Sequence, residues 1–226
     1  MAKALVIRHH WEDHPGLVGE AFVARGFELE VVMMDETSPT PSVDGFDVLV
    51  ILGSTYSVYD EQIEAVWFGR ELAVIAEAER CGVAVLGICF GAQALCCYYG
   101  GGVERSQNPE VGWFEIEAVN DSGLGVGPWF EFHLDHCLLP VEAALWAKSP
   151  AAVQAFAVGR NVGVQFHPEI EEDPLAGWFA SGDVDNALAL LGIDPVLLLA
   201  QTAREMPLAR VRALELVDLF LGHIGR

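Results

Sequence analysis

Short apolar runs rich in β-branched residues alternate with longer amphipathic stretches along much of the chain. Six such runs, typical of buried strands, lie at 4–7, 29–32, 48–51, 83–86, 153–157 and 162–166. Between the first four, the stretches at 17–25 and 61–80 carry apolar residues at helical spacing. Strands that alternate with helices predict an α/β fold with a doubly wound, mostly parallel sheet and helices on both faces.

The middle and the end of the chain follow other patterns. Segments 115–119 and 129–133 lie among turns rich in Gly and Asp, and they predict antiparallel strands added at a sheet edge. From about residue 183 to 222 the apolar spacing is helical. We therefore expect a single domain over residues 1–226, with a flavodoxin-like core over about 1–180 and C-terminal helices over about 183–222.

Charge and hydropathy exclude several kinds of partner. Lys and Arg number 12 against 33 Asp and Glu, which gives a net charge of −21 at pH 7. Because such a surface repels phosphates, we expect no nucleic-acid partner. No apolar run reaches the roughly 18 residues of a membrane span, and the N-terminal MAKALVIRHH is more typical of a first strand than of a signal peptide. We expect a cytoplasmic protein without membrane contact, whose five cysteines are reduced thiols.

The segment GICFGAQ at 87–93 places one cysteine, Cys89, between Gly87 and Gly91 at the end of a predicted strand. This is the spacing of a nucleophile elbow, a tight strand-to-helix turn that needs small flanking residues. The helix that follows would point its free amides and positive dipole end at the thiol and favour the thiolate. A buried packing cysteine is the alternative interpretation. Cys96 and Cys97 lack such flanks and are predicted to pack inside the helix.

The segment GVQFHPE at 163–169 supplies a candidate base. Its strand is expected to end near His167, because Pro168 has no amide to donate to a strand ladder. Residues two apart in an extended chain project to the same side, so Glu169 can fix the tautomer of His167. Carboxyl ends of parallel strands share one edge, which would bring His167 to Cys89. On its own this triplet is weak evidence, and a surface histidine is the alternative.

These two segments resemble those of the class I (triad-type) glutamine amidotransferases. LGICFGAQ at 86–93 is similar to the nucleophile segment of that family, and GVQFHPE to its His–Glu segment. EVGW at 110–113 and HLDHCLLP at 133–140 resemble the amidotransferase domain of GMP synthetase and its stand-alone relatives. ILGSTYSVYDE at 51–61 lies where the family has its oxyanion strand, and the resemblance covers residues 1 to about 180.

The resemblance implies a reaction and a set of roles. Cys89 would attack the side-chain amide of L-glutamine to form a γ-glutamyl thioester, and water would release glutamate after ammonia has left. His167 would transfer the protons, and Glu169 would orient His167. Further implied roles are an oxyanion hole made by the backbone amides of Gly53 and Phe90, and contacts with the substrate by Gln93, Gly112 and Trp113.

Two positions depart from the family pattern. Ala92 stands where the family usually has histidine, which affects substrate positioning or partner contact rather than the chemistry. The oxyanion strand reads Gly53-Ser54-Thr55 where Gly-Gly-Pro is common. A side chain at 54 restricts a backbone flip that only glycine makes cheaply. Unassisted glutaminase activity is therefore expected to be low, or to need a partner.

The resemblance leaves the acceptor of ammonia open. Family members commonly deliver ammonia to a synthetase domain or subunit that uses ATP, but this sequence contains neither GxxxxGK[ST] nor GxGxxG. We expect no cofactor, and either a separate synthetase subunit or a stand-alone hydrolase of glutamine or other γ-glutamyl compounds. A non-catalytic module that binds a partner is a third alternative. The apolar segments 195–200 and 214–221 are predicted core, or a homodimer or partner interface where exposed.

A polar loop follows the first predicted strand, at the same edge as the candidate site. It contains His9, His10 and His14 together with two acids, Glu12 and Asp13, which are residue types that bind divalent metals. The spacing fits no recognised zinc pattern, so we expect no metal and interpret the loop as the mouth of the site. Three further residues near the oxyanion strand either line the pocket or form an ordinary loop: Tyr56, Tyr59 and Asp60.

Overall fold

The computed structural model describes residues 1–182 and 184–226, apart from the side chains of residues 65 and 185. The strands are β1 (Ala2–Arg8), β2 (Phe27–Met33), β3 (Val48–Ile51), β4 (Ala84–Ile88), β5 (Gly102–Phe114), β6 (Glu117–Ala118), β7 (Trp129–Leu138), β8 (Ala144–Lys148), β9 (Val153–Val158) and β10 (Asn161–Val164). The helices are α1 (Gly16–Ala24), α2 (Glu61–Ile63), α3 (Gly69–Cys81), α4 (Phe90–Tyr98), α5 (Glu172–Ser181), α6 (Asp185–Leu191) and α7 (Pro195–His223). A π-helical turn, Glu64–Phe68, joins α2 to α3.

Eight strands form the central sheet in the order β2-β1-β3-β4-β10-β9-β8-β6. The first five strands of this order run parallel, and β9, β8 and β6 continue the sheet with antiparallel pairs. The predicted mostly parallel sheet is confirmed. Because parallel strands end at one edge, the loops that follow β1, β3, β4 and β10 converge there, which is where ligands bind in open α/β sheets.

Each face of the sheet carries its own hydrophobic cluster. On one face, α1 and α7 bury Phe22 and Phe220 against residues such as Val6 and Val50. On the other, α3 and α4 pack against alternate residues of the same strands, including Leu5, Leu49 and Val85. The strands are buried on both sides, which explains why they read as continuous apolar runs rather than alternating ones.

The segment 129–133 does not lie at the edge of this sheet, so the predicted placement is wrong. It begins β7, which pairs with β5 in a separate two-stranded antiparallel ribbon. The strand β5 is not predicted from the sequence because it is polar and contains Pro109. This proline lies where the register of the ribbon shifts, between Arg105 and Glu110. Proline is tolerated at such a bulge because no ladder bond is required there. The predicted segment 115–119 does include β6, which pairs with β8 at the sheet edge.

The C-terminal helices cover the ribbon and close the fold. The predicted range 183–222 begins at a residue outside the described part of the chain, and α6 and α7 account for most of the rest. Asp194 caps α7 by accepting from the amide of Val196 at 2.8 Å. Leu216 and Phe220 are core residues, whereas Leu197 at the start of α7 is 69% exposed. Within the described residues, no helix is long and apolar enough to span a bilayer.

Candidate active site

Cys89 occupies a strained turn between β4 and α4. Its φ of 51° and ψ of −104° lie in a region that residues with a side chain rarely adopt. Two backbone hydrogen bonds hold the turn: Cys89 N donates to Val164 O at 2.8 Å, and Gln93 N donates to Cys89 O at 3.0 Å. Strain of this kind persists where surrounding structure enforces it, and it is concentrated at functional sites.

The two glycines beside Cys89 are required by close backbone contacts. A Cβ atom at Gly87 would overlap the carbonyl group of Gly91, and a Cβ atom at Gly91 would overlap the carbonyl group of Ile51 on β3. Neither backbone group can move aside without displacing the sheet or the helix. The Gly-x-Cys-x-Gly spacing is therefore the packing requirement of an elbow, as the sequence predicts.

His167 and Glu169 form a buried pair beside this turn. His167 Nδ1 donates to Glu169 Oε1 at 2.7 Å, and its amide donates to Phe130 O at 2.7 Å. Burial lowers the pKa of His167, but the charge of the Glu169 carboxylate, and after it the charge of a Cys89 thiolate, raise it well above its ordinary value. Its Nε2 is buried and makes no hydrogen bond with any of the described residues. The imidazolium is thus favoured in direct electrostatic contact with Cys89.

Gly53 lies against both groups from the end of β3. A Cβ atom there would come within 2.9 Å of His167 Cε1 and 3.7 Å of Cys89 Cβ. Phe90 is the first residue of α4, so its amide has no acceptor within the helix. The two backbone positions predicted for an oxyanion hole therefore flank Cys89, and their role stays a prediction.

A cavity of about 210 Å³ opens above Cys89, smaller than the sites that hold drug-sized ligands. Gln93 lines it, and its Nε2 donates to Gln165 Oε1 at 3.3 Å, while Gln165 Nε2 lies 3.5 Å from Cys89 Sγ. Tyr56 also lines the cavity. Tyr59 and Asp60 instead brace the loop after Gly53: Tyr59 OH donates to Asp135 Oδ1 at 2.7 Å, and Asp60 Oδ2 accepts from Ser57 N at 2.7 Å.

Gly112 and Trp113, predicted to contact the substrate, are not among the described residues that line this cavity. Both lie on β5 and face α7, where Trp113 Nε1 donates to Thr202 Oγ1 at 2.9 Å. A Cβ atom at Gly112 would meet Leu198 of the same helix at 3.7 Å. The structure does not bring these residues to Cys89, and their contact with a substrate stays a prediction.

The three histidines of the loop after β1 are separated. His10 and His14 line the cavity, whereas His9 turns inward and is buried. Among residues 1–182 and 184–226, a different group has ligand-type atoms within 4.8 Å of one another: Glu110, Glu131 and His133. Burial, followed by the Glu110 charge, raises the pKa of Glu131 well above its ordinary value.

Three further cavity residues were missed by sequence reasoning. Arg105 Nη1 lies 3.6 Å from Asp135 Oδ1, and the Trp178 ring packs edge-on against His167 at 5.6 Å. Arg105 lies in the polar strand β5 and Trp178 in the short helix α5. The order of polar and apolar residues in these two segments does not indicate that either residue faces a cavity. Asp135 belongs to the quoted segment HLDHCLLP, which is the one available signal.

Comparison with known proteins places this chain in a family. The class-I glutamine amidotransferase family matches residues 17–177. One of the subunits of the glutamine-hydrolyzing GMP synthase of Saccharolobus solfataricus is 33% identical over 156 residues, which cover 65% of this chain and 78% of that protein. The glutamine-hydrolyzing GMP synthase of Clostridium kluyveri is 32% identical over 136 residues, 56% of this chain, and the match spans 25% of that longer protein.

Two solved structures share the fold of this protein over its full length. A glutamine amidotransferase from Thermotoga maritima superposes with a TM-score of 0.85 at 25% identity, covering 100% of this chain and 99% of that one. A glutamine amido transferase from Methylobacillus flagellatus, at 22% identity, shares the fold with a TM-score of 0.84 and covers 100% of this chain and 96% of its own. Because the family match spans more than half of the chain, this protein belongs to the class-I glutamine amidotransferase family.

Proposed function

We propose that the protein hydrolyses the side-chain amide of L-glutamine to glutamate and ammonia through a cysteine thioester. The observation that carries this proposal is Cys89 on its strained elbow beside the His167–Glu169 pair, joined at 2.7 Å. A nucleophile, a base in electrostatic contact with it and a third group that orients the base are the parts that covalent amide hydrolysis needs.

The raised pKa of His167 supports the following proton path. With Nδ1–H held by Glu169, the proton on Nε2 faces Cys89. Attack by the thiolate on the amide carbon gives a tetrahedral oxyanion. As it collapses, the C–N bond breaks and Nε2 gives its proton to the departing ammonia. Neutral Nε2 then takes a proton from the water that attacks the thioester, and release of glutamate restores the thiolate–imidazolium pair.

The oxyanion would lie between the amides of Gly53 and Phe90. Both are backbone groups fixed by a strand end and a helix start, so no reorganisation is needed when the charge develops. Removing a single donor of this kind typically costs about 10²–10³ in kcat.

Replacing Gly53 with alanine tests whether His167 needs the space beside Gly53. The added Cβ would approach His167 Cε1 to 2.9 Å, and the ring cannot retreat without losing its bond to Glu169. We expect kcat for glutamine hydrolysis to fall by about 10- to 100-fold, as misplacement of a reacting group does, with a small change in melting temperature. Gly69→Ala is the matched control, because its Cβ would meet no atom within 4 Å. Equal kcat in both variants would show that the position of His167 does not depend on a glycine at residue 53.

The substrate's amino-acid end needs charged partners, and Arg105 is the one lysine or arginine among the described cavity residues. Acidic side chains also line the cavity, namely Glu12, Asp13, Asp135 and Glu169. We assign the α-carboxylate of glutamine to Arg105 and the α-ammonium to this acidic side. Of the predicted substrate contacts, Gln93 lines the cavity and is retained in the proposal.

Changing Arg105 to glutamine should therefore weaken substrate binding more than chemistry. Arg105 is 55% exposed, so we expect KM for glutamine to rise by about tenfold, the lower range for a lost charge-assisted bond, while kcat changes less than threefold. Arg25→Gln, which removes a surface pair with Asp218, is the control. Steady-state kinetics separate the two constants, and an unchanged KM would remove Arg105 from the binding site.

We further propose that the ammonia passes to a separate synthetase subunit. The Saccharolobus solfataricus relative is itself named as one subunit of GMP synthase, and the chain spans about a quarter of the Clostridium kluyveri GMP synthase that it matches. This part of the proposal predicts that glutaminase activity rises when the partner is added.

The deciding experiment measures ammonia and glutamate release from L-glutamine and from γ-glutamyl peptides, with labelling by a glutamine-analogue chloroketone followed by peptide mass spectrometry. We expect turnover of L-glutamine, or labelling at Cys89 where turnover awaits a partner. Preference for γ-glutamyl peptides would replace the amidotransferase with a stand-alone hydrolase. Absence of both turnover and labelling would leave a partner-binding module on the same scaffold.

A further inference from the structure

A second buried pair lies behind the oxyanion strand. His9 follows β1, and its side chain is 1% exposed, while that of Glu71 on α3 is 0% exposed. His9 Nδ1 lies 2.8 Å from Gly53 O, and Nε2 lies 2.7 Å from Glu71 Oε2. A carbonyl oxygen only accepts hydrogen bonds, so Nδ1 must carry a proton and donate to Gly53.

Two aromatic rings pack against the imidazole of His9. It is stacked on Trp67 at 5.0 Å and meets the edge of Phe90 at 4.9 Å. Trp67 lies in the π-helical turn, and Glu71 follows four residues later, so both reach the ring from one helical segment. Burial would lower the pKa of His9, but Glu71 raises it above its ordinary value, with smaller contributions from Gly53 O and Asp13. Single π-helical turns are often found at functional sites.

The consequence falls on the amide of Gly53. The preceding residue is anchored because Leu52 N donates to Ile7 O at 3.0 Å, and the following peptide is anchored because Gly53 O accepts from His9. The Gly53 amide thus lies between two fixed peptide units. Without the bond from His9, the peptide joining Gly53 to Ser54 could rotate and turn its carbonyl oxygen towards the cleft, where it would repel an oxyanion.

We propose that His9, held by Glu71, is a positioning residue that fixes the Gly53 amide as an oxyanion donor. This inference rests on the proposed glutamine hydrolysis, because His9 acts through Gly53 and does not line the cavity. The sequence predicts that the histidine loop forms the mouth of the site, and His9 does not have that role in this proposal.

The first test replaces His9 with phenylalanine, which keeps the ring and removes the donor. We expect kcat for glutamine hydrolysis to fall by about 10- to 100-fold, with KM within threefold. Labelling of Cys89 by the chloroketone, whose carbonyl becomes an oxyanion, should slow in parallel. Alkylation by iodoacetamide creates no oxyanion, so its rate should stay within twofold. His223→Phe is the matched control, since His223 also bonds a glycine carbonyl, Gly159 O at 3.0 Å, at the end of α7.

A second pair of variants carries the test if His9→Phe does not fold. In His9→Asn the amide nitrogen replaces Nδ1 and can still donate to Gly53, whereas in His9→Gln it replaces Nε2 and cannot. His9→Asn should therefore retain more activity than His9→Gln. The reverse order would overturn the proposal, as would an equal loss of both labelling reactions in His9→Phe.

A spectroscopic measurement separates this inference from the proposed function. If the wild-type protein neither turns over glutamine nor reacts with the chloroketone, the proposed function fails, and the hydrogen bond can still be tested by NMR. Protonation at His9 Nδ1 in the wild type, and a changed carbonyl ¹³C shift of Gly53 in His9→Phe, are expected. An unchanged Gly53 shift would show that His9 does not hold this peptide.

Discussion

Replacing Cys89 with alanine should abolish glutamine hydrolysis, lowering kcat by about 10⁴-fold or more, as loss of a covalent nucleophile does in other hydrolases. The elbow directs Sγ into the cavity, and no other cysteine lines that cavity within the described residues. Release of ammonia and glutamate by the purified variant measures the loss. The chloroketone should label the wild type at Cys89 and leave the variant unlabelled.

Cys96 is the rival thiol, and Cys96→Ala is the control. A hydrogen bond with Cys137 lowers the pKa of Cys96, so this is the thiol that the experiment has to exclude. Its Sγ, however, faces the carbonyls of Gly102 and Leu138 at 3.4 and 3.3 Å, on the side of α4 that packs against the ribbon. We expect Cys96→Ala to keep activity within about threefold. A folded Cys96→Ala protein that has lost hydrolysis would overturn the elbow assignment.

The parts of the site that the sequence predicts are those with a local cause. Gly87 and Gly91 have to be small because the turn crowds its own backbone, and this requirement is visible within five residues. The strand β3 is predicted with its observed bounds, since it is buried on both faces. The final strand, predicted over 162–166, is less accurate, because β10 ends at Val164. Beyond it, the backbone is held by one hydrogen bond from Gln165 N to Gln154 O and one from His167 N to Phe130 O.

Other parts depend on contacts between distant segments. His9 reads as one of three histidines in a polar loop, and its burial is decided by Glu71, which lies 62 residues away in sequence. The ribbon strand β5 is stabilised by its partner β7 and by α7, so its own residues need not alternate in polarity. The π-helical turn has no known signature in a polar–apolar pattern, because it shifts the helical phase within a continuous helix.

The departure at Ala92 also has a structural explanation. Its side chain is buried and packs between α4 and β10, where a Cβ atom at Gly163 would come within 3.1 Å of it. A histidine in this position would need the facing strand to move. Ala92 is therefore a packing residue in this chain rather than a gap in the cavity wall. The departure at Ser54 is not a matter of side-chain packing. The hydrogen bond from His9 to Gly53 O fixes the peptide that joins Gly53 to Ser54.

Changing Glu169 to glutamine should lower kcat by about 10²–10³-fold, somewhat less than loss of the orienting carboxylate costs in serine proteases. The amide oxygen can still accept from His167 Nδ1, but the negative charge is gone. Because Glu169 raises the pKa of His167, its removal lowers that pKa. The alkaline limb of the pH–rate profile, where His167 loses the proton destined for ammonia, should therefore move to lower pH. Glu172→Gln, an exposed change on α5, is the control.

The same variant tests the charge through stability. A histidine whose pKa is raised on folding stabilises the native state fully below its unfolded pKa of about 6.5, and this stabilisation is lost as pH rises through the raised value. Glu169→Gln should thus destabilise the protein more at pH 6 than at alkaline pH, as measured by urea unfolding. A lowered kcat with an unchanged alkaline limb and no pH-dependent destabilisation would mean that Glu169 orients the ring without charging it. In that case Cys89 would have to keep His167 protonated, and the Cys89→Ala protein would show the lowered histidine pKa instead.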